Sequence, residues 1–408
     1  MKTSKLTTLI LICLSPALTY GQTESFIYGK VTTVDNDVYT GALRWDDEEV
    51  YWTDMFNAAK EENENIDYLS SDELAYLEDK VRNKYSSRWH TTWTWSSDND
   101  YQHQFSCQFG EIKSLESLRG NDVLVTMQNG KKFEVEGEGY NDIGSDIKII
   151  DSELGEISLD WDRIETVEFM STPSGLKETF GTPLYGTVYS DQGKFTGYVQ
   201  WDHDERLGTD KLDGRSEDGK VSVEFSKIAS IERDGYSRSE VVLNSGRKLS
   251  LSGSNDVDND NRGIIVAIEG VGRIDITWKE FDKVEFSEAP KSGVKYDDFK
   301  TQRELEGTVK VSNGDSHSGK IVFDLDEAWD FEVLQGKMDD SEYVIPFRNI
   351  KKIVPRNDSS SEITLRSGDQ LTLWDAQDVN EENTGVLVQV SGQRVYVPWE
   401  KVKEITFK

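Results

Sequence analysis

Three short acidic runs carry the spacing most capable of chemistry: Trp45-Asp46-Asp47-Glu48-Glu49, Trp201-Asp202-His203-Asp204-Glu205 and Phe323-Asp324-Leu325-Asp326-Glu327. Each places acids one, three and four residues after a large ring: Asp46, Glu48 and Glu49; Asp202, Asp204 and Glu205; Asp324, Asp326 and Glu327. Carboxylates spaced this way on a loop offer oxygen ligands to a hard cation such as Ca²⁺. The expectation is therefore a structural calcium at most, and no other cofactor. A polar turn in a very acidic protein accounts for the same residues without metal and is the simpler reading. Asp256, Asp258 and Asp260 begin like a calcium loop, but Asn261 stands where such a loop needs Gly and Ala267 where it needs Glu. The related stretch 375–383 keeps only part of that pattern.

Catalysis finds little purchase. His90, His103, His203 and His317 are scattered without metal-ligand spacing. No nucleophile elbow, phosphate loop or zinc motif occurs. With 77 acids in the chain, a carboxylate pair such as Asp46 and Glu49 has no specificity for glycoside hydrolysis. A cluster repeated three times also argues against one unique active site. The expectation is a protein that is not an enzyme, with a hydrolase ranked last.

A second candidate surface lies in an insertion over 57–103. Ser70-Ser71-Asp72-Glu73 has the form of a helix capping box, with Leu69 and Leu74 placed as a hydrophobic staple. Leu74, Leu77, Val81 and Tyr85 follow at one-face helical spacing. Then come Trp89, His90, Trp93 and Trp95, with Tyr101 close behind. In an extended segment Trp93 and Trp95 share a face, so Trp89, Trp93, Trp95 and Tyr101 are expected to form a binding surface. The competing explanation is that these rings dock the helix onto its own module.

The elements that must position these residues are visible in a pattern that recurs six times: an aromatic residue, an apolar residue three on, and another three beyond. The copies are Phe109-Ile112-Leu115, Trp161-Ile164-Val167, Phe225-Ile228-Ile231, Trp278-Phe281-Val284, Phe347-Ile350-Ile353 and Trp399-Val402-Ile405. Phe and Trp alternate in the lead, so unlike modules A and B repeat as a pair. Each A module opens a strand at Gly29, Gly186 or Gly307 and carries a second glycine at Gly41, Gly197 or Gly319. Each B module opens with a hairpin around Gly130, Gly246 or Gly368, flanked by period-two apolar residues such as Val125, Met127, Phe133 and Val135. A strand ending in a ring, one tight turn of three-residue spacing and a closing strand would place all three signature residues in one core. Polar, Pro- and Gly-bearing linkers over 171–183 and 287–303 separate each B from the next A.

The chain is therefore expected to be all-β, with three lobes at 26–170, 184–286 and 305–408. Each lobe would hold two small barrels, with the helical insertion in the first A module and the first B module over 118–170. This turn glycine, bent strand and closing helical turn resemble the Sm-like and SH3-like small barrels, and the small barrel modules of bacterial envelope proteins. Gly319-Lys320-Ile321-Val322-Phe323-Asp324 is similar to the Sm glycine–aromatic–Asp segment, one residue short in spacing. The Asn that contacts RNA in that family has no counterpart, so the resemblance implies the fold and not RNA binding.

Composition narrows the class further. The net charge of −31 repels phosphate backbones, which excludes nucleic acid as a partner. Lys2 and Lys5, the apolar run 6–14 and the small-residue exit at 19–21 read as a secretory signal over 1–21. That run is too short to span a bilayer, and no other segment is long and apolar enough. Only Cys107 lies beyond the signal, so no internal disulfide is expected. Flanked by Phe105 and Phe109 at strand period, its thiol reads as a buried apolar group. The functional expectation is an exported, periplasmic or extracellular, binding or scaffold protein whose partner is a protein or a surface glycan. The alternative is a carbohydrate-binding protein with an aromatic platform and structural calcium.

Overall fold

The computed structural model describes residues 23–60, 63, 65–85, 103–118, 121–137 and 142–408. The expected signal at 1–21 and the aromatic residues Trp89, Trp93, Trp95 and Tyr101 lie outside them. The described chain is nearly all β, in two large antiparallel sheets of 10 and 20 strands.

The first sheet contains β1 (Tyr28–Thr33), β2 (Val38–Trp45), β3 (Met55–Lys60), β4 (His103–Gln108), β5 (Ile112–Ser117), β6 (Asp122–Met127), β7 (Lys132–Glu136), β8 (Ile147–Asp151), β9 (Gly155–Leu159) and β10 (Ile164–Phe169). Its strand order is β4-β3-β7-β6-β5-β10-β1-β2-β8-β9. The same circuit runs from β11 (Tyr185–Ser190) to β20 (Phe281–Phe286), and again from β21 (Glu306–Val311) to β30 (Val402–Phe407).

Strand pairing does not follow the expected A–B division. β1 and β2 of the first A module pair with β10 and β8 of the B module, while β3 pairs with β7. Each five-strand half of a circuit thus combines a hairpin from one module with three strands from the other. One cause lies at the paired glycines. Gly29 faces Gly41, and a Cβ on Gly41 would sit 1.9 Å from the Ile150 carbonyl oxygen on β8. Gly197 and Gly319 meet the Ala267 and Gln389 carbonyl oxygens at 2.2 and 1.9 Å in the same way. These glycines therefore serve close backbone approach. By contrast Gly130, Gly246 and Gly368 have φ of 86°, 83° and 101°, the left-handed conformation that their hairpin turns demand.

The six-fold signature closes the circuits as its spacing predicts. Five copies form 3₁₀ turns, at Phe109–Glu111, Trp161–Arg163, Phe225–Lys227, Phe347–Asn349 and Trp399–Lys401, each leading directly into a strand. The second and third signature residues are buried in every copy. The core of the first circuit takes residues from both modules, Phe109 and Leu115 packing with Val125 and Val167. A single hydrophobic cluster serves the second and third circuits together. There β19 (Gly272–Ile276) pairs with β24 (Ser341–Pro346), which fuses two circuits into one sheet.

The inserted helix α1 (Ser71–Tyr85) starts with the expected capping box. The Ser70 N–H donates to Glu73 Oε2 at 2.8 Å, and the Glu73 N–H to Ser70 Oγ at 3.4 Å. It docks on the third circuit rather than on its own. Leu77 is buried against Leu325 and Leu387, with Leu69, Val322 and Tyr396 around them. Lys80 Nζ donates to the Asn383 carbonyl at 2.7 Å. Cys107 is fully buried beside Phe105 and Phe109, and burial pushes its thiol pKa up.

Candidate functional site

Each acidic run begins where a long strand ends in its ring. Trp45 and Glu49 close a tight turn by mutual backbone hydrogen bonds, as do Trp201 with Glu205 and Phe323 with Glu327. The first acid takes the left-handed conformation in all three, with φ of 50° at Asp46, 49° at Asp202 and 50° at Asp324. Asp tolerates this region better than most residues because its short polar side chain can bond locally.

Those side chains are already engaged. Asp46 Oδ2 accepts from Ser145 Oγ at 3.2 Å. Asp202 Oδ1 accepts the Arg262 N–H at 2.6 Å, and Asp324 accepts from Gln377 Nε2 and Thr384 Oγ1, both at 2.7 Å. Asp204 pairs with Arg262. Asp326 Oδ1 lies 2.7 Å from Lys60 Nζ, so an ammonium pairs with one acid of the third cluster. Among the described residues, no three His, Cys, Asp or Glu side chains are disposed to hold a metal ion. The calcium-loop-like run is likewise committed, for Asp256 Oδ2 accepts the Asp213 N–H at 2.6 Å. Its counterparts Asp142 and Asp378 accept the Asn57 and Gln335 N–H groups, each at 2.6 Å. The Trp45 and Trp201 indoles donate to the Asp142 and Asp256 carbonyls at 2.6 and 2.9 Å.

A further acid, nine residues after the ring, completes the arrangement. Asp54 Oδ2 accepts the Val50 and Tyr51 N–H groups, both at 2.8 Å. Asp210 does the same for Arg206 and Leu207 at 2.8 Å, and Glu332 for Ala328 and Trp329 at 2.6 and 2.9 Å. The other oxygen of each reaches a cation from a different circuit. Arg206 Nη2 lies 2.6 Å from Asp54, Arg44 Nη1 lies 2.8 Å from Asp210, and Lys60 Nζ lies 2.7 Å from Glu332. The first two pairs are reciprocal, each circuit giving an arginine and receiving one. Arg348 to Glu111 at 2.6 Å adds a further tie between the third circuit and the first.

Electrostatics follow from burial. Lys60 pays desolvation, yet Asp326 and Glu332 hold its pKa above the usual lysine value. Glu49, Glu205 and Glu327 have the opposite fate: burial, then neighbouring carboxylates, push all three up, Glu205 to about 9. Each keeps one buried Oε2 without a hydrogen-bond partner. Burial also raises Asp142 to about 7, Asp256 to about 6 and Asp324 to about 7. In each case burial disfavours the charged form. Glu48 sits beside Asp204 and Asp46, on an open cleft of about 530 Å³ that Arg44 and Lys148 also line.

The sequence reading located the acids but missed their partners Lys60, Arg44 and Arg206, and the acids Asp54, Asp210 and Glu332. The readable signal was the constant nine-residue offset of those three acids from Trp45, Trp201 and Phe323. Compared with family models, curated proteins and solved structures, the chain matches none.

Proposed function

We propose that this chain is an exported, non-enzymatic scaffold that presents repeated β surfaces to a protein partner in the cell envelope or outside the cell. The observation that carries the reading is the use made of the repeated acids. At fixed places in three circuits, they tie turns to backbone N–H groups and bind neighbouring circuits through Arg44, Arg206 and Lys60. Side chains spent on assembly in this way build a stiff platform, and the outward strands remain for recognition. Each circuit is read as two Sm-like five-strand units that have exchanged hairpins, an interpretation supported by the order β10-β1-β2-β8-β9.

The test is capture of a specific protein by the tagged full chain from envelope extracts, competed by untagged chain. Retention on insoluble glycan instead, abolished by Trp93→Ala with Trp95→Ala, would replace this reading with the carbohydrate-binding one.

A further inference from the structure

The circuits have two kinds of sheet edge, one at the β4 position and one at the β9 position. Between the second and third circuits the two kinds meet, as β19 pairs with β24. The outer edge strand of the third circuit, β29 (Gln393–Val397), is covered, its Tyr396 packing with Leu77 of α1 and its Arg394 lying over the Tyr68 ring. In β4 the central residues Phe105, Ser106 and Cys107 are all buried. Among the described residues this leaves one open edge of each kind: β9 in the first circuit and β14 (Gly219–Glu224) in the second.

We infer that β9 of one copy and β14 of another pair as antiparallel strands, joining copies of this chain head to tail. The inference goes beyond the scaffold reading and stands apart from it. Transferring the β19–β24 register places Ile157 opposite Val221, Glu156 opposite Ser222 and Ser158 opposite Lys220. In the existing joint the central pair, Ile274 and Tyr343, is 1% exposed on both sides. Ile157 and Val221 are only half-buried. A Cβ on Gly272 would lie 2.3 Å from the Val344 carbonyl, whereas one on the equivalent Gly155 meets nothing within 4 Å.

Charge favours the inferred pairing. In the existing joint burial and Asp275, directly opposite, raise the Glu342 pKa, and Arg273, diagonal to Glu342, opposes that rise. In the inferred joint the signs are reversed, with Glu156 diagonal to Lys220. Glu156 and Lys220 thus attract each other across the inferred joint, whereas β9 against β24 would set Glu156 diagonal to Glu342. Leu154, at the turn before β9, is 68% exposed. Its counterpart Val271 packs against the shared core of the joined circuits, and its carbonyl accepts from Asn349 Nδ2 at 3.2 Å. A head-to-tail contact uses different patches on the two copies, so it yields rings or open chains.

Sedimentation velocity of the full chain over a concentration series tests this. Wild type should assemble with concentration, and Glu156→Lys or Lys220→Glu alone should weaken assembly roughly tenfold. Mixing those two folded variants should restore assembly, because each then meets an opposite charge at both edges. Leu154→Asp should also weaken it. A wild type that stays monomeric at the highest attainable concentration would overturn the inference. So would assembly indifferent to both charge reversals, or single variants that fail to rescue one another when mixed.

Discussion

Two junctions in this molecule hold like circuits together by unlike means. The second and third circuits share backbone hydrogen bonds between β19 and β24 and a common apolar core. Among the described residues the first circuit pairs no strand with either neighbour; buried charge fastens it at Arg44–Asp210, Arg206–Asp54, Lys60 with Asp326 and Glu332, and Arg348–Glu111, beside side-chain apolar contacts such as Tyr51 with Leu207 and Phe133 with Phe331. A sheet joint is set by register and tolerates many side chains. A buried ion pair gains little net energy once desolvation is counted, but losing one partner strands the other. The first circuit should therefore be placed with greater selectivity, and its junctions should be more easily broken by a single substitution.

The largest expected effect is at Lys60. Lys60→Ala removes the cation that pairs with buried Glu332, which should cost about 3–5 kcal/mol in urea unfolding. A loss below about 1 kcal/mol would erase the contrast between the junctions. At the sheet joint, Ile274→Ala should cost about 2–5 kcal/mol through the cavity it leaves, while the β19–β24 pairing persists in hydrogen exchange.

Per unit of pH, the next effect is smaller. Glu205, raised to about 9, binds its proton in the folded state where the unfolded chain has lost it. Stability must then fall as pH rises from the ordinary glutamate range, about 4.3, towards 9. The upward direction at Glu49 and Glu327 adds to the same slope. Glu205→Gln should reduce the dependence of unfolding free energy on pH by up to about one proton. An unchanged slope between pH 5 and 9 would mean that Glu205 is ionised in the folded chain. The smallest effect is with cations: Ca²⁺ and Mg²⁺ at equal ionic strength should raise the melting temperature alike, by screening. A selective response to Ca²⁺ would show that the acidic turns bind it.

Much of this was legible because apolar spacing reports local structure directly. The hairpins at Gly130, Gly246 and Gly368, the turns after Phe109 and Phe347, and the capped helix from Ser71 all follow from near neighbours in the chain. Strand exchange was not legible, since the neighbour of β2 is β8, a strand of the other module that is distant in sequence. Repetition itself favours that ambiguity, because matching strands from two modules fit the same place. The acids were equally visible, but an acid that ligates metal and one that caps a turn look alike until Lys60 is seen beside Asp326. The helix was readable as a helix, whereas its seat on Leu325 and Leu387 belongs to a circuit more than two hundred residues away.

The exchange of hairpins also sets a clock. β1 finds its outer neighbour only when β10 exists, since Gly29 pairs with Phe169. At roughly 5–20 residues per second, synthesis keeps that strand waiting on the order of ten seconds, with one edge unpaired. The circuit cannot close early from its first half, because Val31 packs in a core whose other members, Ile149 and Val167, arrive last. Long-range pairing of this kind is slow even in a complete chain. A nascent chain of this protein therefore spends its youth as an open sheet, exposed to whatever strands it meets before its own arrive.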